Sequence, residues 1–536
     1  MRCVMKPNKL FMFVALMALS CTSTVLLNEK AKTTEKIGNV NFPISCSIVA
    51  QEQFNRAVAV LYSFWYAEAL KAFTSLVENN PDCAMGYWGI AMSLWHPLWQ
   101  PPDVETLKKG WAAVEKAKAL NVKTERERDY IAAIEAFYMD SEVLDHRTRA
   151  LAYEKAMEQI YLRYPEDREA AVFYALALNA TALPTDKTYE NQHKATEILL
   201  KVFAEKPEHP GAAHYLIHNN DYPALADRAL FAARRYASIA PSVPHALHMP
   251  SHIFTRLGLW QESIHTNRAS ATAAKRNSSW FEQLHAMDYL VYAYLQGAQD
   301  REAKRVLDEA NIIGKVASDN RASAYALAAI PARYAIERRQ WDAAVALEPR
   351  QSRYIYTEAI TYFARAMGSA RNGDLTTARE DIEKLESLRD ALLNVEQSYW
   401  AVQIEVQHQA ASAWLAYAEG KNDEALQLMI SAAELEGSTE KHPVTPGAIV
   451  PAHELLGELL LELGKPEQAL SEFETSLLSS PNRFNTFYGA ARAAELLSDK
   501  EKTRDFYEKL VALCENADSE RPELLEARAF LAMIGQ

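Results

Sequence analysis

His214 and His218 are four residues apart, as are His248 and His252, and the two pairs are offset by 34 residues. On a helix, residues i and i+4 project from one face, so each pair would present two imidazoles side by side. Neutral imidazole is a good ligand for zinc, copper, iron and nickel, and a neighbouring carboxylate can ligate the ion or orient a ring through its second nitrogen. Three histidines with an open fourth position would let an ion activate water or take a substrate directly. One period beyond the second pair, the segment 280–289 adds Glu282, His285 and Asp288. The candidate ligand set is therefore His214, His218, His248, His252, His285 and Asp288, with Glu282 as a further carboxylate, around one transition ion: zinc, copper or iron. No cysteine falls in this region, which weighs against a structural zinc held by thiolates. The competing reading is that the rings bond to backbone and to the hydroxyls of Tyr215, Tyr222 and Tyr289 and serve only packing.

These residues need helices to position them. Pro210 opens a helix that carries His214 and His218 and ends near Asn219-Asn220-Asp221. The second cluster, from Pro244 to Phe254, offers His245 as well as His248 and His252, but Pro250 interrupts it. Either the helix bends there, or it begins at Pro250 and leaves His248 in the preceding turn. A spacing of small residue, large residue four on and proline eight further recurs at Ala69/Phe73/Pro81, Ala195/Leu199/Pro207 and Ala469/Phe473/Pro481. It recurs again at Ala229/Ala233/Pro241, with a small residue at the large position. The small residue lets two helices approach, the large one fills the gap, and proline stops the second helix. Gly489 falls where the next helix would again need a small residue.

On these residues the chain resembles the tetratricopeptide-repeat superfamily, closely over 49–97, 190–300 and 449–514 and loosely over 100–190 and 301–448. The resemblance implies an all-α, right-handed superhelical solenoid of helix–turn–helix repeats whose first helices line a concave groove. The histidine-bearing helices would be first helices, so their side chains would converge on that groove. The resemblance also implies a protein or peptide partner bound there. Abundant alanine, leucine and glutamate, and few runs of valine or isoleucine, agree with helices throughout. The 536 residues exceed what a single core usually holds, but a solenoid has no such limit. The expected organisation is an N-terminal array over 46–300 that carries the histidines, divergent helical repeats over 301–448, and C-terminal repeats over 449–536.

Residues 1–21 read as an export signal: Arg2, Lys6 and Lys9 precede an apolar run from Leu10 to Leu19 that is too short to span a bilayer. Cys21 after Ala18-Leu19-Ser20 resembles the lipidation box of bacterial lipoproteins, though Ala18 stands where leucine is usual. The expectation is a periplasmic protein or an outer-membrane-anchored lipoprotein, with 22–45 as a flexible tether. Export permits disulfides. Cys46 and Cys83, 37 residues apart, would open the first helices of neighbouring repeats and can be bridged, or else both are small buried apolar residues. Cys514 would be left as a buried free thiol.

A net charge of −13 with no long basic run argues against nucleic acid. No apolar stretch beyond the signal approaches 18 residues, so membrane contact would be through lipid alone. There is no phosphate loop, dinucleotide fingerprint or Gly-x-Ser-x-Gly elbow. Trp88, Trp95 and Trp99 with His96 form an aromatic cluster that reads as core before it reads as a ligand platform. His453-Glu454 lies on a late first helix that could face the groove. Glu125 and Glu127 follow Thr124 with the spacing of a capping box and read as a solvated helix start. Two function classes follow: an exported scaffold for a protein or peptide partner, ranked first on the strength of the repeats, and a metal-dependent hydrolase or oxidoreductase built on the same array. Whether the protein is an enzyme is open at this point.

Overall fold

In the computed structural model, which describes residues 35–98, 101–315, 320–395 and 397–534, helix follows helix and no β-strand forms among the described residues. The hairpins pack as their small and large residues require. Phe73 on the Tyr66–Asn79 helix fills the space over Gly89 of the Ala84–Leu94 helix, where a Cβ would lie 2.2 Å from the ring. Phe473 on Pro466–Ser479 does the same between Gly457 and Gly489, where Cβ atoms would come within 2.7 and 2.3 Å. These contacts explain the repeated spacing: a larger residue at either glycine would push the helices apart.

The turns between paired helices repeat one hydrogen-bond pattern. The N–H of Leu259 donates to the Phe254 carbonyl at 2.8 Å and that of Lys465 to Leu460 at 2.9 Å, closing the helix ends over Gly258 and Gly464 at positive φ. This is the Schellman closure, which consumes carbonyls that would otherwise be orphaned. Ala298, Arg339 and Ser498 occupy the same left-handed position in turns of the same kind.

Residues from Lys36 onward form one unit, an array of paired antiparallel helices. Its C-terminal repeats close against its middle. Trp260 Nε1 donates to the Asn482 carbonyl at 2.6 Å, Arg521 pairs with Asp300 at 2.5 Å, and Asp518 N donates to the Ala298 carbonyl at 3.2 Å. The non-helical segment 438–451 crosses the histidine-bearing helices. Lys187 holds Glu440, and Arg333 holds the carbonyls of Gly447 and Ala448 at 2.8 and 2.6 Å. The histidine-bearing helices, expected to face an open groove, are thus covered here by the chain itself.

Two sequence expectations change, and of the two readings of Cys46 and Cys83 the bridge is the one found. Residues 36–45 are no tether: Ile37, Val40 and Phe42 are buried, Phe42 packs against Trp88 and Tyr130, and Asn39 N donates to the Glu208 carbonyl. Their apolar residues do not follow the helical period, so the sequence carries no helical sign of their burial. Glu127 is buried rather than solvated, and its carboxylate accepts from the backbone N and the hydroxyl of Ser45 at 2.6 and 2.5 Å. Cys46 and Cys83 are joined, with Cα atoms 5.5 Å apart, and the disulfide ties that same segment to the second repeat; Cys514 is free and buried. The expected signal over 1–21, Cys21 and residues 22–34 lie outside the described residues, as does Trp99. Among the described residues no helix is long and apolar enough to cross a membrane.

Candidate metal centre

The histidines come from four helices. Pro210–Asn219 carries His214 and His218; Pro250–Arg256 carries His252; Trp280–Gln296 carries His285. Between the first two, Pro244–His248 ends at His248 and Met249 keeps helical angles, φ −53° and ψ −36°, before Pro250 restarts the helix. The proline therefore interrupts the hydrogen-bond ladder without turning the chain aside. His248 and His252 still meet, their Nε2 atoms 3.1 Å apart.

The hydrogen bonds around this pair fix the tautomers. Asn267 donates its Nδ2 to the Ser263 carbonyl at 2.8 Å, so its Oδ1 is an acceptor, and His248 Nδ1–H donates to it at 2.7 Å. Asp221, acceptor-only as a carboxylate, takes His252 Nδ1–H at 2.8 Å. Both Nδ1 atoms carry hydrogen, so both neutral rings turn an Nε2 lone pair toward the other. Two lone pairs at this distance repel, whereas two nitrogens on one ion at about 2.0–2.1 Å stand about 3.3 Å apart in tetrahedral geometry. His285 completes a group of three whose ligand atoms all lie within 4.8 Å of one another.

Electrostatics keep the rings neutral. Burial, reinforced by the neighbouring imidazoles, pushes His214, His218, His245, His248 and His285 well below the usual histidine range. Burial lowers His252 as well, against the pull of Asp221. Burial works to raise Asp221, but Lys441, His252 and Arg256 hold its carboxylate well below the usual range. Lys441 itself, 2.5 Å from Asp221, is lowered by burial to about 8. Neutral imidazoles held by a carboxylate and an amide are the form in which histidine ligates.

A cavity of about 540 Å³ opens beside the rings. His218, His245, His248, His252 and His285 face it, Phe64 and Trp280 wall it, and Pro443 and Val444 of the crossing segment close one side. Glu282 also lines it; burial pushes its carboxyl up to about 7, and its Oε2 has no hydrogen-bond partner among the described residues.

The structure divides the expected ligand set. His214 and His218 group with His245, whereas His248 and His252 group with His285, so the four paired histidines do not surround a single point. Asp288 is not with them: it is buried against Arg333, Nε to Oδ1 3.3 Å, because burial of that guanidinium demands a carboxylate. Tyr289 meets the site through its hydroxyl, 3.4 Å from His252. His96 stacks on Tyr66 at the cavity wall, while Trp88 and Trp95 are core. Glu454 turns inward to Arg483, and His453 pairs with Glu472 at 2.6 Å, so neither reaches the histidines. Sequence reasoning missed Asp221, Asn267 and Lys441 as the residues that orient the rings. Asp221 had only its place at the end of a histidine helix to mark it, and Lys441 comes from a segment 220 residues further on.

No protein-family model matches the chain. No curated protein sequence matches it. Among solved structures it is similar to yeast Tom70, at 13% identity over 90% of this chain and 95% of that one, with a TM-score of 0.36. It is similar also to the human IFIT1 dimer with m7Gppp-AAAA, at 13% identity over 77% of this chain and 87% of that one, with a TM-score of 0.38.

Proposed function

We propose that this protein is a helical-repeat scaffold built around a transition-metal centre, in which His248, His252 and His285 bind the ion and the adjoining cavity admits a small ligand. The observation that carries the reading is the pair of Nε2 lone pairs facing each other at 3.1 Å, each fixed by an acceptor on its own Nδ1. Packing alone gives no reason to bury such a contact; an ion between the nitrogens turns it from repulsive to binding. When bound, the ion would act as a Lewis acid toward whatever enters the cavity. Glu282, titrating near neutrality on the cavity wall, is placed to hold or release a proton there.

The scaffold as a whole fits a protein-binding role, and a protein partner would dock outside the surface that segment 438–451 covers. Export is part of the same reading: a Cys46–Cys83 disulfide is at home in an oxidising compartment. Mass spectrometry of the mature protein from its host, finding no peptide upstream of Cys21, would agree with it.

Elemental analysis and metal titration of untagged, chelator-free protein test the centre. Binding should reach at least one ion per chain and fall in a His248→Ala/His252→Ala variant that keeps its helicity. Protein that takes up neither zinc nor copper would leave these histidines as packing residues and the scaffold role alone.

A further inference from the structure

We infer that His214, His218 and His245 hold a second ion beside the first, so that the site is a pair of three-histidine centres suited to copper. This rests on the metal-centre reading above and extends it from one ion to two.

The ligand atoms of these three residues lie within 4.8 Å of one another, the same limit that gathers His248, His252 and His285. The orientation of His214 follows from its partner. Its Nδ1 is 2.6 Å from the Tyr62 carbonyl, which can only accept, so Nδ1 carries the hydrogen and Nε2 bears the lone pair. That Nε2 is buried and has no hydrogen-bond partner among the described residues. A buried acceptor left unsatisfied is destabilising, and it persists where it serves a ligand. The ring cannot turn away, since it stacks on Tyr236 at 5.1 Å and meets Phe64 edge-on at 4.5 Å. A backbone carbonyl thus does for His214 what Asp221 does for His252.

The two groups adjoin. The rings of His218 and His252 are 5.8 Å apart and those of His245 and His248 6.1 Å apart, and five of the six histidines face one cavity. A small ligand entering there meets both positions. The sequence hid this division because the matched pairs drew attention to His214, His218, His248 and His252. His245 and His285, which separate them into two sets, stand outside the four-residue spacing.

The donor set points to copper. All six ligands are neutral nitrogen, Asp221 reaches the site only through His252, and Asp288 is taken by Arg333. Two dications so close, with no bridging carboxylate, repel about four times as strongly as two monocations at the same separation. Of the metals that imidazole suits, copper is the one readily bound as a monocation.

The test is an anaerobic titration of the full chain with Cu(I) against a chromophoric Cu(I) chelator, alongside the same titration with zinc. Wild-type protein should bind two Cu(I) per chain. A His214→Ala/His218→Ala variant should bind one, and so should His248→Ala/His252→Ala. If a double variant loses helicity, His245→Gln replaces the first, with the same loss of one ion expected. One equivalent in the wild type overturns the second site and leaves the single-ion reading standing; none overturns both. Two zinc ions bound with no uptake of Cu(I) overturns the assignment to copper.

Discussion

Two buried polar clusters join the middle of this chain to its later repeats, and they close their hydrogen bonds in opposite ways. Around Arg483 each guanidinium nitrogen finds an acceptor: Nε and Nη2 reach Glu454 at 2.8 and 3.0 Å, Nη2 also reaches Glu337 at 2.7 Å, and Nη1 reaches the Tyr292 hydroxyl at 2.9 Å. Asn485 adds a further bond to Glu337. All three charged side chains are fully buried, and the guanidinium charge is met by two carboxylates. Around His248 and His252 the outward nitrogens are equally well held, by Asn267 and Asp221, but the inward ones face each other. Burial and charge alone do not separate a structural pin from a site. Comparing partners does: each nitrogen of the arginine has an acceptor, and the histidine cluster has lone pairs to spare.

Breaking the arginine cluster should produce the largest effect. Arg483→Ala leaves Glu337 and Glu454 buried without their cation, a change that costs about 3–5 kcal/mol. Chemical denaturation should show the loss, while metal content per folded chain stays as in the wild type. If the variant unfolded no more easily, the cluster would not be the pin described here.

Acid sharpens the contrast. His96 is lowered by burial to about 4 and His442 to about 3, whereas in the unfolded chain each titrates near its ordinary value of about 6.5. With the folded value below the unfolded one, the unfolded chain takes up protons that the native chain does not. Stability is therefore complete above about pH 6.5 and is lost as pH falls toward about 4. Each of the two should remove about 1 kcal/mol between pH 7.5 and 5.5. Thermal melts across that range should show it, and His442→Gln should flatten the slope.

The most specific effect is on metal affinity. Asp221→Asn keeps an acceptor for His252 Nδ1 but removes the charge that raises the ring's basicity, so metal affinity should fall by about 10-fold. Asp221→Ala removes the acceptor too and should approach about 100-fold. Competition titration reads both. Equal affinity in all three proteins would mean that Asp221 serves only its pairing with Lys441 and Arg256.

The helical array was legible in the sequence because its packing is local. Phe73 and Gly89 meet within neighbouring hairpins, as Phe473 and Gly489 do. The histidines were legible for the same reason, since stacked helices carry equal offsets into contact. What escaped depends on distant pieces of chain. Segment 438–451 bears no repeat signature, and only the closure of the later repeats lays it over the site, where Lys441 meets Asp221. Asp288 shares a helix with His285, but its direction was decided by Arg333, 45 residues further along. Residues 36–45 were misjudged because an extended segment buried among helices follows no helical period.

An anomalous difference map, recorded at the copper edge from crystals of the full chain grown with copper, tests the central claim most directly. The expected result is two peaks, one among His248, His252 and His285 and one among His214, His218 and His245, each within bonding distance of three ring nitrogens. A map without density at either group, from protein whose helices and disulfide are intact, would contradict the account.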